Sequence, residues 1–355
     1  MLFLQHFLSS SPSSSSLIAG RVFGFKTLTA SSKFCSRRKS SRSKSSKSKS
    51  KTIIVSMASN PSSSSSSSSS SKSRKVLDAH LHVWPTPGEY SYQEGKVPPV
   101  PGSVEELVEV QAKSGVAGAM IVQPINLLFD HEYLEKAVNR YPGKFVLCAL
   151  ANPSPNVNGE KELEKLLHPA GAFKAVRFNP GLWPEKEKMT NDVGKRMFRM
   201  CGDKDAVVGF MCFHGLDKSY EEMCELMTEF PKTRVLIDHF GFARGISDPN
   251  WQKVLSLAKF PQVSVKVSAQ FRVAAGEKIE WPYESTFEQV KDLVKHFGAE
   301  RLVWGSDFPF VVNECGYEKA SQIVNEIEDL TEEERDLILG GSLEKMFPKS
   351  FYSSS

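Results

Sequence analysis

From residue 75 onward the chain alternates short apolar runs with longer amphipathic stretches. The apolar runs predict strands at 75–84, 117–124, 145–152, 173–179, 206–214, 234–240, 263–270 and 301–308. Between them, apolar positions recur at helical spacing near 103–114, 130–141, 159–168, 190–203, 217–230, 250–259 and 284–298, with two more helices after the last strand. Ser103-Val104-Glu105-Glu106 and Thr331-Glu332-Glu333-Glu334 have the form of capping boxes, which start helices by satisfying otherwise orphaned amide groups. Strand followed by helix, eight times over, is the pattern of a (β/α)8 barrel. A doubly wound open sheet is the competing architecture. It needs a glycine-rich turn after its first strand, and here that turn reads His82-Val83-Trp84-Pro85. The barrel is therefore expected over residues 75–348, with 349–355 as a disordered tail.

Composition sets the first 74 residues apart. No acidic residue precedes Asp78, whereas residues 1–77 hold fourteen Lys or Arg and thirty Ser, ten of them in the unbroken run Ser62–Ser71. Serine and basic residues without acid are the make-up of an organelle transit peptide, and the excess of hydroxyl over arginine favours the plastid. Met57 offers a second start and a cytosolic form. Past residue 77 the balance inverts, with 31 of the 45 basic residues against all 41 acidic ones, a formal charge of −10. The +4 of the whole chain thus belongs to the N-terminal segment. The folded part is thus acidic and has no reason to bind nucleic acid. No long apolar run predicts a membrane span, and the five scattered cysteines past residue 77 predict free thiols.

The candidate chemistry sits at the carboxyl ends of predicted strands, where barrel active sites are built. Strand one ends in His80-Leu81-His82, strand five in His214, strand six in His239 and strand eight in Asp307. Residues two apart on a strand face the same way, so His80 and His82 both point either inward or into the apolar helix layer, and the interior is the cheaper place for imidazole. Asp78 has the same parity and is expected deeper, orienting a histidine. A lone buried histidine is more often a satisfied core residue than a ligand. Four imidazoles and a carboxylate sharing one end of the barrel form the donor set of a hydrolytic metal centre. Arg177, on strand four, has the planar fork that grips a carboxylate or a neighbouring acid. Lys266 and Arg272, near strand seven, are weaker candidates for the same task. Trp84, Asn126 and Trp183 are placed to line a pocket or to pack in loops.

The strings Leu77-Asp78-Ala79-His80-Leu81-His82-Val83-Trp84, Val122-Gln123-Pro124, Ile237-Asp238-His239-Phe240-Gly241 and Trp304-Gly305-Ser306-Asp307-Phe308-Pro309 together resemble the amidohydrolase superfamily. The nearest likeness is to its amidohydrolase-2 branch, which contains 2-pyrone-4,6-dicarboxylate lactonases and sugar lactonases. The resemblance covers 75–348. It implies that His80, His82, His214 and His239 surround the site and that Asp307 handles the proton of the attacking water. Binuclear relatives carry a bridging lysine or glutamate at the end of strand four, where this chain has Arg177 and no well-placed bridge. One divalent ion, by donor type Zn²⁺, on His80, His82, His214 and Asp307 is therefore expected, or none.

The expected function is hydrolysis of a lactone of a carboxylated or sugar-derived acid, with Asp307, His239 and His214 catalytic. Arg177, Trp84, Asn126, Lys266 and Arg272 are the expected substrate contacts, and the partner is a small molecule rather than nucleic acid or membrane. Oligomeric state is not legible. Two alternatives stay open: a metal-dependent decarboxylase of the same branch, and a retired barrel that only binds.

Overall fold

The computed structural model describes residues 75–352 except 91, 93 and 94. The expected transit segment 1–74 lies outside the described residues. Eight strands form one sheet in sequence order: β1 Val76–Leu81, β2 Val116–Val122, β3 Phe145–Leu150, β4 Phe173–Phe178, β5 Val207–Phe210, β6 Arg234–Ile237, β7 Val263–Ser268 and β8 Leu302–Gly305. Every neighbouring pair is parallel. β1 meets the chain leaving β8: Leu81 pairs with Phe308, the Asp307 amide donates to His80 O at 2.8 Å, and the His82 amide donates to Phe308 O at 2.8 Å. The sheet thus comes round on itself as a barrel.

Helices α1 Val104–Ser114, α2 Glu132–Asn139, α3 Gly159–Leu166, α4 Asp192–Asp203, α5 Tyr220–Glu229, α6 Pro249–Ser256, the short α7 Gln270–Val273 and α8 Phe287–Phe297 separate the strands. Three further helices, α9 Tyr317–Gln322, α10 Glu332–Asp336 and α11 Ser342–Met346, follow β8. Both expected capping boxes form, at Ser103–Glu106 and Thr331–Glu334. The apolar residues divide into two layers. Leu81, Val176, Phe210, Ile237 and Trp304 belong to the larger core between strands and helices. Leu77, Met120, Val146, Ala175, Leu236 and Val303 fill the barrel interior together with Leu343, Phe347 and Phe351.

That interior plug corrects one expectation. Residues 349–352 do not trail away: Phe351 is buried in the plug, its carbonyl accepts from Lys75 Nζ at 2.6 Å, and the Tyr352 amide donates to Gly143 O at 2.9 Å. Each strand also stops one to four residues short of its apolar run. The residues left over leave the ladder and become the mouth, which is where the polar side chains are.

β1 carries the local feature on which the mouth depends. Asp78 pairs with Ala119 and Leu81 with Ile121, so three steps on β1 oppose two on β2. This bulge changes the side-chain parity between Ala79 and His80. Leu77 and Ala79 face the interior plug, Leu81 faces the helix layer, and His80 is turned into the barrel. Asp78 consequently points the other way, which corrects the expectation that it lies beneath the histidines on their own face. Its Oδ1 accepts the amides of His80 and Ser306, each at 3.0 Å, and its Oδ2 accepts the Tyr317 hydroxyl at 3.0 Å. One buried carboxylate therefore ties β1 to the residue before Asp307.

Gly305 leaves the room for this bulge. A Cβ there would stand 2.8 Å from His80 N and 2.9 Å from His80 Cβ, closer than packed atoms approach. Gly305→Ala is expected to destabilise the barrel by about 1–3 kcal/mol, the usual cost of an overpacked methyl. Denaturant unfolding of the two proteins measures it, and unchanged stability would mean that the bulge is not wedged against β8.

Candidate active site

The mouth is built downward from charge. Asp238, the residue after β6, is fully buried and lies 2.7 Å from Lys266 Nζ, 3.2 Å from Arg177 Nη2 and 3.3 Å from His80 Nδ1. Burial alone would raise its pKa, but Lys266 and Arg177 outweigh that and hold it well below the usual carboxylate range. Lys266 and Arg177 come from β7 and β4 and are themselves buried. Neither cation is tolerable inside a barrel without this partner.

Above it sits the imidazole layer. Arg177 Nη2 lies 3.0 Å from His80 Nε2, and a guanidinium only donates. His80 Nδ1 lies between Lys266 Nζ at 2.8 Å and Asp238 Oδ1 at 3.3 Å. His82 Nδ1 is 2.9 Å from Val122 O, an acceptor, so its proton is on Nδ1 and its Nε2 is bare. The Nε2 atoms of the two histidines face each other at 3.3 Å. Asp307 Oδ1 is 3.8 Å from the first and 3.7 Å from the second, while Arg272 Nε donates to its Oδ2 at 2.6 Å. The Arg272 guanidinium is itself clamped between the Phe271 and Phe310 rings, at 4.9 and 4.7 Å. His239 packs its ring 4.3 Å from that of His80, with Nδ1 2.8 Å from Ser268 Oγ. His239 and Asp307 both hold positive φ, 46° and 61°, a costly conformation for residues with a Cβ and one that collects at functional sites.

His80, His82, His239, Asp307, Arg177 and Arg272 are thus brought together. His214 is not. It is exposed, with its ring against Phe213, and borders a neighbouring hollow shared with Trp183, Glu187 and Lys218. The reason is legible after the fact. Val207 faces the barrel interior, so Gly209, Met211 and Phe213 share its parity and His214 falls out of phase, and β5 ends at Phe210 before the chain turns. Lys266 also differs from its expected role. It points at Asp238 and His80 beneath the floor and does not line the cavity, whereas Trp84 and Asn126 do. Asp238 and Ser268 went unnoticed in the sequence, although the parity of Leu236 and Lys266 leads directly to them.

The donor set was tested for a divalent ion. His80, His239 and Asp307 are buried and offer one ligand atom each, all within 4.8 Å of one another. His82 adds a bare Nε2 beside His80 and 3.7 Å from the Asp307 carboxylate, a nitrogen and an oxygen donor of the type a divalent ion takes. The residues fit one ion. At the end of β4, where a second would need a bridging base, stands Arg177.

An eight-stranded barrel with imidazoles and a carboxylate at its carboxyl mouth has the plan of a barrel hydrolase. The chain belongs to the amidohydrolase family: the Amidohydro_2 model, described as amidohydrolase, matches residues 77–349. It is 25% identical over 236 residues to a 4-sulfomuconolactone hydrolase of Hydrogenophaga intermedia, covering 65% of this chain and 74% of the relative. Among solved structures it is similar to a protein described as probable 2-pyrone-4,6-dicarboxylic acid hydrolase from Acinetobacter baumannii, solved with citric acid bound. That likeness has a TM-score of 0.63 at 23% identity, over 77% of this chain and 99% of the other. A dihydroxybenzoic acid decarboxylase from Polaromonas sp. JS666, solved with manganese and an inhibitor, matches with a TM-score of 0.54 at 13% identity, over 77% of this chain and 97% of the other. The two structural likenesses establish the barrel.

Burial, then the Arg177 charge, pushes His82 down to about 3, and burial pushes His239 down to about 3 as well. Both are below the ordinary 6.5, so between 6.5 and 3 the unfolded chain takes up protons that the folded one refuses. Their contribution to stability is present above 6.5 and is lost as pH falls. Asp78 works the other way: burial raises it to about 6 from 3.8, so its contribution falls as pH rises across that window. Two histidines against one aspartate leave a net gain. Stability measured by denaturant unfolding is expected to rise from pH 4 to 6.5, and a flat profile would mean that the imidazoles are not held neutral.

Proposed function

We propose that this amidohydrolase opens a lactone bearing an anionic group, by attack of water at the ring carbonyl. The observation that carries the reading is the divided Asp307 carboxylate, with Oδ2 held by Arg272 and Oδ1 facing Nε2 of His80 and of His82. Asp307 lines the cavity. The similarity to a 4-sulfomuconolactone hydrolase supports a lactone as substrate class.

In this reading water adds to the lactone carbonyl as Asp307 Oδ1 accepts its proton. The ring C–O bond then breaks, and Asp307 returns the proton to the departing alkoxide, giving a hydroxy acid. Arg177 and His239 line the cavity and stabilise the negative charge that grows on the carbonyl oxygen. A divalent ion held by His80, His82, His239 and Asp307 would polarise the carbonyl and acidify the water when bound. Arg272 fixes the carboxylate and meets the substrate anion, with Trp84 and Asn126 as further contacts. Delivery to the plastid by residues 1–74 belongs to the same proposal and rests on their composition. The decarboxylase reading is supported by likeness of fold alone.

Asp307→Asn keeps the shape and removes the basicity. Its kcat on an anionic lactone is expected to fall by about 10²–10⁴, the usual worth of a positioned proton acceptor, with the thermal midpoint little changed. Steady-state kinetics across a lactone panel measures it. Near-normal kcat in the variant removes Asp307 from the chemistry.

A further inference from the structure

The cavity changes character above its floor. Its ionisable groups are His82, Arg177, His239, Arg272 and Asp307, all at the bottom. The walls among the described residues are Trp84, Ile125, Met211, Phe213, Phe242 and Phe310, with prolines completing them and Asn126 as the lone wall amide. These rings are braced against one another and against the floor. Phe213 meets Phe242 at 5.2 Å, Phe242 meets His239 at 5.0 Å, and Trp84 lies 5.8 Å from Phe310 and 6.5 Å from His82. The cavity is half open to solvent, with a volume of about 130 Å³.

We infer that the substrate is two-faced: an anionic lactone head on the arginine floor, and a ring-sized apolar substituent, aryl or branched alkyl, between the walls. This rests on the lactonase reading for the head and on the walls alone for the substituent. It sets aside the polyhydroxylated sugar lactones. A sugar hydroxyl pressed against Ile125, Met211 or Phe242 would lose its water and find no partner, at a cost of roughly tenfold or more in affinity each. An apolar group of matching shape gains by the same walls, with each well-packed increment worth about tenfold or more. The wall aromatics also offer ring faces for offset or edge-on stacking, which favours an aryl group.

Binding of non-hydrolysable carboxylates to the full chain, measured by calorimetry, tests the substituent independently of turnover. 3-Phenylpropanoate is expected to bind at least about tenfold more tightly than propanoate, and gluconate no more tightly than propanoate. Ile125→Ser is expected to remove most of the phenyl advantage while leaving the propanoate affinity within about twofold. Phe213→Ser, elsewhere on the wall, serves if Ile125→Ser fails to fold. Gluconate binding equal to or tighter than 3-phenylpropanoate overturns the inference, as does a phenyl advantage that survives in a folded wall variant. Absence of lactonase activity with the binding order intact would instead count against the proposed reaction and leave the apolar substituent standing.

Discussion

The buried Asp238 carboxylate is the interaction on which the mouth of this barrel depends. It collects Lys266 from β7, Arg177 from β4 and His80 from β1 at distances of 2.7–3.3 Å. Removing it would leave two cations in an apolar barrel, and breaking such a pair typically costs more than forming it gains. With it in place, three strands are fixed relative to one another at their carboxyl ends. The orientation of the His80 ring follows, with Arg177 facing Nε2 and Lys266 and Asp238 facing Nδ1. The place of His80 beside His82 and Asp307 is a consequence of charge set one layer below. Asp78 does the corresponding work on the other face of β1, holding the bulge and the approach to Asp307 with three hydrogen bonds.

Much of this was legible in the sequence. The order of strands and helices, the two capping boxes and the barrel followed from periodicity, because strand and helix faces leave distinct spacings. His80, His82, His239 and Asp307 were found by their place at strand ends. Failures came where one residue changes the phase. A single extra residue in β1 turned Asp78 to the outer face, and simple alternation could not foresee it. His214 was grouped with the other histidines by its place after an apolar run, whereas parity counted from Val207 puts Phe213 inward and leaves His214 outside. Asp238 was quoted in a motif and passed over, since a carboxylate between Ile237 and His239 reads as a turn residue until two cations and an imidazole from other strands are brought to it. Phe351 was assigned to a tail because its partners lie in β-strands hundreds of residues away.

The division between floor and wall connects fold to chemistry. Charge is confined to the end of the barrel interior, where Asp238, Arg177 and Lys266 neutralise one another in part and the imidazoles stay uncharged. The walls come from the loops after the strands and are apolar. Such a site accepts an anion at its base and excludes water around it, which strengthens every electrostatic contact with a reacting carbonyl. Relatives with the same barrel include proteins described as lactone hydrolases and as decarboxylases, so the barrel alone does not choose the reaction. The choice lies in what Asp307 does with a water molecule.

Turnover of an anionic aryl lactone in ¹⁸O-labelled water tests that most directly. The account predicts one solvent oxygen in the new carboxylate, none in the released hydroxyl, and no carbon dioxide. Label in the hydroxyl, or release of carbon dioxide from a carboxylated substrate without label in the product, would contradict water attack at the carbonyl and with it the proposed role of Asp307.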